Sequence, residues 1–381
     1  MIRELTIKNY KSILDHTIEL GRINVFIGEN GCGKTNILES VAMAAAAVTD
    51  KLTVEELFNR GMRVAKPSIM RSSFPVASSE EIVLRCGYVL EAPNTVELRV
   101  RAEETSTANI GWIEQWHKTS TQAFSDLFGR GETHFDSKHW AYVAEEQNRR
   151  SLTSILADFA LYNPNILALR GLETPSRRTP LGIHGENLDY AIAKLKPATW
   201  ADVLERARCI SWLDNIVVDV ADQLKFEGHK LGQSQSTLYF YDKFMAEKNN
   251  VFSAENVNEG ILHILFYLTL FASEATPRIF GIDNIDTALN PQLCRELIEQ
   301  LADLAAKHDK QARITTHNPA ILDGLNLHDD EQRLFVVARN DEGHTVTNRI
   351  KLKPAIPDAP FKYKLSEMWM RGLIGGLPEN F

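Results

Sequence analysis

The chain has 381 residues, 44% of them hydrophobic and 24% charged, with a formal net charge of −8. This is ordinary globular material for one large domain or two intimate ones, with room for a sizeable core. It excludes a broad basic field, so any contact with DNA has to be a local patch. Residues 1–26 carry alternating apolar runs (Ile2, Leu5, Ile7; Ile18, Leu20; Val25), which predict two or three strands and no signal peptide. The last of these, Ile23-Asn24-Val25-Phe26-Ile27, is short and β-rich.

Directly after it, Gly28-Glu29-Asn30-Gly31-Cys32-Gly33-Lys34-Thr35 fits G-x-x-x-x-G-K-[ST] in full, and residues 36–43 are good helix formers. A strand, a glycine turn and a helix start make a phosphate cradle. The glycines let backbone N–H groups converge on phosphate, and the helix start adds partial positive charge. Lys34 is placed for the β- and γ-phosphates and Thr35 for Mg²⁺. Asn30, Gly31, Cys32, Gly33, Lys34, Thr35 and Asn36 are the candidate nucleotide contacts. Cys32 inside the loop suits a reducing cytosol. With Cys86, Cys209 and Cys294 scattered singly, neither a disulfide framework nor a zinc knuckle is indicated.

Residues 53–60 predict a short helix capped by Thr53, with Glu55 and Glu56 in its first turn. Residues 81–90 and 95–101 read as paired strands around a Glu91-Ala92-Pro93-Asn94 turn. From 102 to 150 the pattern is irregular and polar, and predicts a partly helical insertion with surface loops. His134, Asp136 and His139 have metal-ligand spacing without a fourth ligand. Trp112, Trp116 and Lys118, Arg149-Arg150 and Arg177-Arg178 are local candidates for DNA contact, although isolated Arg pairs usually just solvate a face. Residues 151–162 read as a helical run ending near Asn163-Pro164. Residues 186–195 and 200–216 also show helical periodicity, and 223–226 with 236–241 read as a strand pair. Neither a repeat nor a sustained heptad pattern is present.

The last third alternates strictly. A buried helix over 260–272 is too short to cross a bilayer, which takes about 18 apolar residues or more. It precedes a strand over 278–282, Asp283, a helix over 291–307, a strand over 312–315 and His317-Asn318-Pro319. This is the grammar of a parallel sheet with helices on its faces. The apolar strand ending in Asp283 has the form of a Walker B strand, whose acid helps hold Mg²⁺.

Asp283-Asn284-Ile285-Asp286-Thr287-Ala288-Leu289-Asn290 resembles the D-E-P-T-S-A-L-D run of ABC-type ATPases, with Thr287–Asn290 in the place of the D-loop. Ile314-Thr315-Thr316-His317-Asn318-Pro319 resembles their H-switch, and Val257-Asn258-Glu259-Gly260 stands where their signature motif opens a helix. Asn9-Tyr10-Lys11-Ser12 matches the N-[FY]-[KR]-S of the compact SMC/RecF/OLD branch. Within that branch the chain most resembles stand-alone ATPases of bacterial anti-phage defence, such as the Septu ATPase and the ATPase half of OLD nucleases. The resemblance covers residues 1–48 and about 253–325, and holds mainly by order over 100–250.

The resemblance implies an α/β ABC-type head: two β-sheets flanked by helices, with a mainly helical insertion. It implies an N-terminal lobe over 1–100, the insertion over 101–250, and a C-terminal lobe over 251–381. ATP and Mg²⁺ are the implied cofactors, with Asp283, Asn284 and His317 as catalytic positions. Asn258, Glu259 and Gly260 would touch the γ-phosphate held by a second copy. A homodimer or higher even oligomer follows, cytoplasmic and without membrane contact. A separately encoded nuclease or toxin is the implied effector, since the stretch after His317 is too short for a nuclease domain. A RecF-like DNA-repair ATPase and a non-hydrolysing, nucleotide-gated scaffold are the alternatives.

Three departures from the family matter, the third being that no Q-loop glutamine is assigned. Asn284 stands where a catalytic Glu is usual, and a neutral amide cannot act as a base. Slow hydrolysis follows, unless another acid such as Asp286 helps. Asn258 replaces the usual Ser, and Gln233 and Gln235 are the unsupported candidates for a Q-loop glutamine. Arg170 reads either as a nucleotide sensor or as core-edge packing. Asp329-Asp330-Glu331 reads better as a solvated turn than as a metal site.

Overall fold

The computed structural model describes residues 1–75, 79–89, 93–107, 111–125, 153–352 and 364–376. Its strands in chain order are β1 (Ile2–Tyr10), β2 (Ile13–Glu19), β3 (Ile23–Ile27), β4 (Glu81–Val89), β5 (Pro93–Thr107), β6 (Gly111–Ser125), β7 (Leu161–Tyr162), β8 (Leu213–Val218), β9 (Leu238–Asp242), β10 (Val251–Ser253), β11 (Ile279–Ile282), β12 (Gln311–Thr315), β13 (Gln332–Arg339) and β14 (Thr345–Ile350). The helices that matter below are α1 (Lys34–Val48), α2 (Val54–Asn59), α3 (Pro197–Ala207), α4 (Glu259–Ala272) and α5 (Pro291–Lys307).

Three sheets result. An antiparallel sheet has the order β2-β1-β4-β5-β6, a small one β10-β9-β8, and the central sheet β14-β13-β3-β12-β11-β7. In the central sheet β13, β3, β12, β11 and β7 run parallel, and β14 closes one edge antiparallel. The fold is therefore α/β, with mixed sheets flanked by helices. No helix among the described residues is long and apolar enough to cross a membrane.

Strand alternation divides the core in two. Ile23, Val25 and Ile27 of β3 join α4 and α5 in one apolar cluster, while Phe26 points to the other, built with α1 between the sheets. There Phe26 stacks on Phe335 with ring centroids 5.1 Å apart. The small residues Ala44–Ala47 keep α1 slim where it is wholly buried. Gln311 ties the sheets together: its Oε1 accepts from Ile2 N at 3.0 Å, and its Nε2 donates to Ile2 O at 2.7 Å and Gly21 O at 2.6 Å.

The elements around the motifs form as the sequence indicates. Thr53 caps α2 by accepting from Glu56 N, and Asn290 caps α5 by accepting from Leu293 N, with Pro291 in the first turn. The middle of the chain differs. Residues 102–107 and 111–125 continue β5 and form β6 rather than helix and loop. Thr, Trp and Phe in this polar stretch suit a pleated sheet. Residues 151–162 are not one helix, because Leu161–Tyr162 is the edge strand β7. The helix from 197 stops at Ala207, and the β-branched Ile216-Val217-Val218 belong to β8. Gln223–Phe226 is a helical turn, since the Asp219 carboxylate caps Gln223 N at 3.1 Å and Leu224 N at 2.8 Å. Residues 134, 136, 139, 149 and 150 lie outside the described residues.

Arg313, in mid-β12, is 0% exposed, and none of its three guanidinium nitrogens has a hydrogen-bond partner. It lies over the Phe159 ring at 5.8 Å, and burial pushes its pKa down to about 10. A buried cation without a hydrogen-bonded counter-ion is a net cost. Arg313→Met, of similar length, is expected to stabilise the fold by on the order of 1–4 kcal/mol, read as a higher midpoint in denaturant unfolding. A lower midpoint would show that the guanidinium is needed where it sits.

Candidate functional site

The glycine loop joins β3 to α1, and its backbone explains its glycines. Gly28 has φ 148° and Gly33 φ 111°, a region that side chains rarely adopt. A Cβ on Gly28 would lie 2.2 Å from Val337 O, and one on Gly33 2.2 Å from Thr345 Oγ1. Gly31, at φ 80°, has nothing within 4 Å of its Cβ position, and with Asn30 it is exposed. The loop is braced from behind. Thr345 Oγ1 donates to Cys32 O at 2.7 Å and meets Ser12 Oγ at 2.7 Å, and Asn36 Nδ2 donates to Ser12 Oγ at 2.7 Å. Cys32 is buried, which pushes its thiol pKa up, so it is a packing residue here.

A second brace stands on Glu39, whose side chain is wholly buried on α1. Its carboxylate accepts from Lys11 Nζ at 2.5 Å, Arg63 Nε at 2.9 Å and Arg63 N at 2.9 Å. Burial alone would raise the Glu39 pKa; the bonds from Arg63 and Lys11 outweigh it and hold the pKa below the usual value. Arg63 also donates to Asn36 Oδ1 at 3.2 Å. Lys11 and Ser12 of the N-terminal motif thus both hold the start of α1.

Lys34 is 6% exposed. Its ammonium donates to Gly28 O at 2.8 Å and Glu29 O at 2.9 Å, and forms no ion pair among the described residues. Burial pulls its pKa down. A buried ammonium held by two neutral carbonyls of a glycine loop, with the Cys32 sulfur at 3.9 Å, is suited to accept an anion such as phosphate.

Asp283, at the end of β11, is the hub. It accepts from Thr35 Oγ1 at 3.1 and 3.2 Å and from Thr315 Oγ1 at 2.5 Å. Thr315 Oγ1 in turn accepts from Asn284 N at 2.9 Å. The hydroxyl and carboxylate of Thr35 and Asp283 are hard oxygen donors, the set that suits Mg²⁺. Asn284 has φ 57°, the left-handed region in which Asn is favoured over most residues. Asp286 does not stand free: its Oδ1 accepts from Thr316 Oγ1 at 2.7 Å and His317 N at 3.3 Å, so it holds the end of β12. His317 is exposed; partial desolvation, then the charge of Lys34, lowers its pKa, which keeps the imidazole neutral at neutral pH.

Asn258 caps α4, its Oδ1 accepting from Gly260 N at 2.8 Å. Its amide NH₂ is left as a donor, and Asn258 and Glu259 are exposed. Gly260 is buried, 3.5 Å from Ala288 O measured at its Cβ position, so the start of α4 leans on the 287–290 segment.

Asn163 was missed from sequence. β7 pairs with β11 in the register Gly281–Leu161 and Ile282–Tyr162, which sets Asn163 beside Asp283, and Asp283 N donates to Tyr162 O at 2.9 Å. The signal in the sequence is the short apolar run before Asn163-Pro164, which reads as a helix end. Gln233 and Gln235 are exposed, and no hydrogen bond joins either to the loop or to Asp283; Gln235 N bonds Gly171 O at 2.8 Å. Arg170 donates to Val257 O at 3.4 Å, on the approach to α4. Asp330 pairs with Arg333 and Arg349, and Glu331 with Arg3. Arg177 is almost fully exposed, and Arg178 donates to Asp158 O.

This fold and site define a P-loop ATPase head of the ABC type. Its likeness in solved structures is to SMC heads: an SMC head bound to the C-terminal winged-helix domain of ScpA (TM-score 0.57, 14% identity, 92% of this chain and 98% of that one). The SMC head domain of Thermotoga maritima matches at TM-score 0.51 and 11% identity over 92% and 99% of the two chains. A Pyrococcus furiosus Smc head with an extended coiled coil, bound to the C-terminal domain of ScpA, matches at 0.50 and 13% over 92% and 96%. No curated protein sequence matches. The profile of the family described as "AAA domain, putative AbiEii toxin, Type IV TA system" matches residues 23–323, and the chain belongs to that family.

Thr315→Val leaves Asn284 N–H without its acceptor and takes one donor from Asp283. Destabilisation of about 1–3 kcal/mol is expected in denaturant unfolding. A several-fold higher Mg²⁺ requirement for nucleotide binding should accompany it. An unchanged Mg²⁺ requirement would separate Asp283 from the metal.

Proposed function

We propose that the chain is a slowly hydrolysing ABC-type ATPase that closes into a homodimer, or a higher even oligomer, around ATP and Mg²⁺. In this reading it controls a separately encoded nuclease or toxin effector in anti-phage defence, in the cytoplasm. The observation that carries it is the meeting of the Lys34 ammonium, the Thr35–Asp283 oxygens and His317 at the carboxyl ends of β3, β11 and β12. Bound Mg–ATP supplies the charge that joins two protomers and the phosphoryl group passed to water.

The chain's own residues set how that happens. Lys34 exchanges the Gly28 and Glu29 carbonyls for phosphate oxygens. Thr35 and Asp283 offer metal ligands, and Asn163 lies where it can add an amide oxygen. Asn284 can orient water but cannot take its proton, which makes turnover slow. The neutral His317 donates a hydrogen bond without adding charge. Exposed Asn258 and Glu259 open the 14-residue α4, whose N-terminus suits phosphate held by a partner protomer. The toxin and type IV TA system in the family's description support a role tied to an effector. The ScpA domains on the similar SMC heads support a head that works with another polypeptide.

Asn284 also favours a second reading, a nucleotide-gated scaffold. Its left-handed backbone disfavours a Glu, so the turn as well as the side chain is set against fast hydrolysis.

ATP with Mg²⁺ is expected to convert monomer to dimer in light scattering, and Lys34→Ala to abolish both nucleotide binding and that shift. Dimerisation and binding that survive Lys34→Ala would contradict the site. Asn284→Glu is expected to raise phosphate release about tenfold or more, since a positioned base contributes about 10²–10⁴-fold and backbone strain offsets part of it. Brisk, equal turnover in both forms would remove the weakened-base reading.

A further inference from the structure

A second cleft, of about 600 Å³, opens at the amino end of β11 and the carboxyl end of α1, the ends opposite Asp283 and the glycine loop. Lys51, Arg60, Arg178 and Arg278 line it, against the carboxylates of Glu56, Asp158 and Glu274. Two of these acids are spoken for. Glu56 meets Arg60 Nη2 at 2.8 Å, and Glu274 meets Lys196, from outside the cleft, at 2.7 Å. Arg278 is paired with Asp309.

The cations are less well served. Arg60 is 4% exposed; its Nη1 donates to Ala157 O at 2.7 Å and Phe159 O at 2.9 Å, but its Nε has no partner. Burial lowers the Arg60 pKa; the Glu56 carboxylate opposes this, the nearby charge of Arg178 adds to it and that of Asp158 opposes it. The Arg178 guanidinium donates to the neutral Asp158 O at 2.5 Å. Lys51 is exposed and forms no ion pair among the described residues. Behind the wall, Lys310 is buried on neutral acceptors only: Thr276 O at 2.8 Å, Thr276 Oγ1 at 2.9 Å and Pro277 O at 3.2 Å. Burial, then Arg278, brings its pKa down to about 8. In a chain of net charge −8, this is a local positive excess around a concave space.

We propose that this cleft binds a phosphate-bearing small molecule, its anionic oxygens held between Arg60 and Arg178 with Lys51 at the mouth. Arg60 and Arg178 face one space, Arg60 with an unpartnered Nε beside its Glu56 pair and Arg178 without an ion pair among the described residues, and two such forks match the geometry of a phosphate. The carboxyl end of α1 opposes an anion weakly, and the charge-assisted hydrogen bonds exceed that effect. Three residues beyond Arg60, Arg63 holds Asn36 and Glu39, so one short segment touches both this cleft and the glycine loop.

The test is independent of the nucleotide site. Inorganic pyrophosphate is titrated by calorimetry into the full-length Lys34→Ala protein, so that the glycine loop contributes least. One bound pyrophosphate is expected. Arg178→Gln added to Lys34→Ala is expected to weaken it tenfold or more, and Lys51→Gln several-fold, with unchanged circular dichroism. Arg178→Gln alone is expected to leave ATP binding intact. Loss of all pyrophosphate binding with Lys34→Ala, or an affinity indifferent to both Arg178→Gln and Lys51→Gln, would overturn the proposal.

Discussion

One carboxylate organises this site. Asp283 receives hydroxyl hydrogen bonds from Thr35 on α1 and Thr315 on β12, while its own N–H bonds the edge strand β7. Hydrogen bonds to a charged group are worth about 1.5–3 kcal/mol each net, roughly twice the ordinary value. They register the glycine-loop helix, the end of β11 and the strand leading to His317 at a single point. Residues far apart in sequence reach hydrogen-bonding distance because a parallel sheet brings strand ends together. Chemistry at strand ends is what such sheets are built to present.

The rest of the loop's support follows the same logic from the other side. Ser12 and Thr345 are 333 residues apart in sequence, yet they form one hydroxyl chain that holds Cys32 and Asn36. Gly33 has to lack a side chain because that chain passes through the space a Cβ would fill. Glu39, Lys11 and Arg63 fix the next turn of α1. The cradle is therefore braced by hydrogen bonds on both sides, and the Lys34 ammonium rests on two neutral carbonyls that phosphate oxygens can replace.

Much of this was legible in the sequence, and for physical reasons. The glycine loop, Asp283, α4, α5 and His317 lie in segments with strong local signals: glycine spacing, caps such as Asn290-Pro291, and long apolar helices. What escaped depends on distant partners. β7 is two residues long, so neither alternation nor length could separate it from a helix end, and Asn163 was lost with it. Gln223–Phe226 became helical because Asp219, outside the segment, caps it. β6 forms because β5 lies beside it, while its own polarity suggested loop. In sequence Asp286 reads as a spare acid, yet it is committed to Thr316 and His317. In sequence Asn284 reads only as a missing base. Its left-handed backbone shows that the residue also serves the turn.

The proposed function requires that one triphosphate be gripped at this hub. The most direct measurement is a structure of the protein with Mg²⁺ and a non-hydrolysable ATP analogue. It should show Lys34 Nζ on phosphate oxygens, no longer on Gly28 O and Glu29 O, with the metal between Thr35 and Asp283. A nucleotide bound elsewhere, with Lys34 still on those two carbonyls, would contradict it.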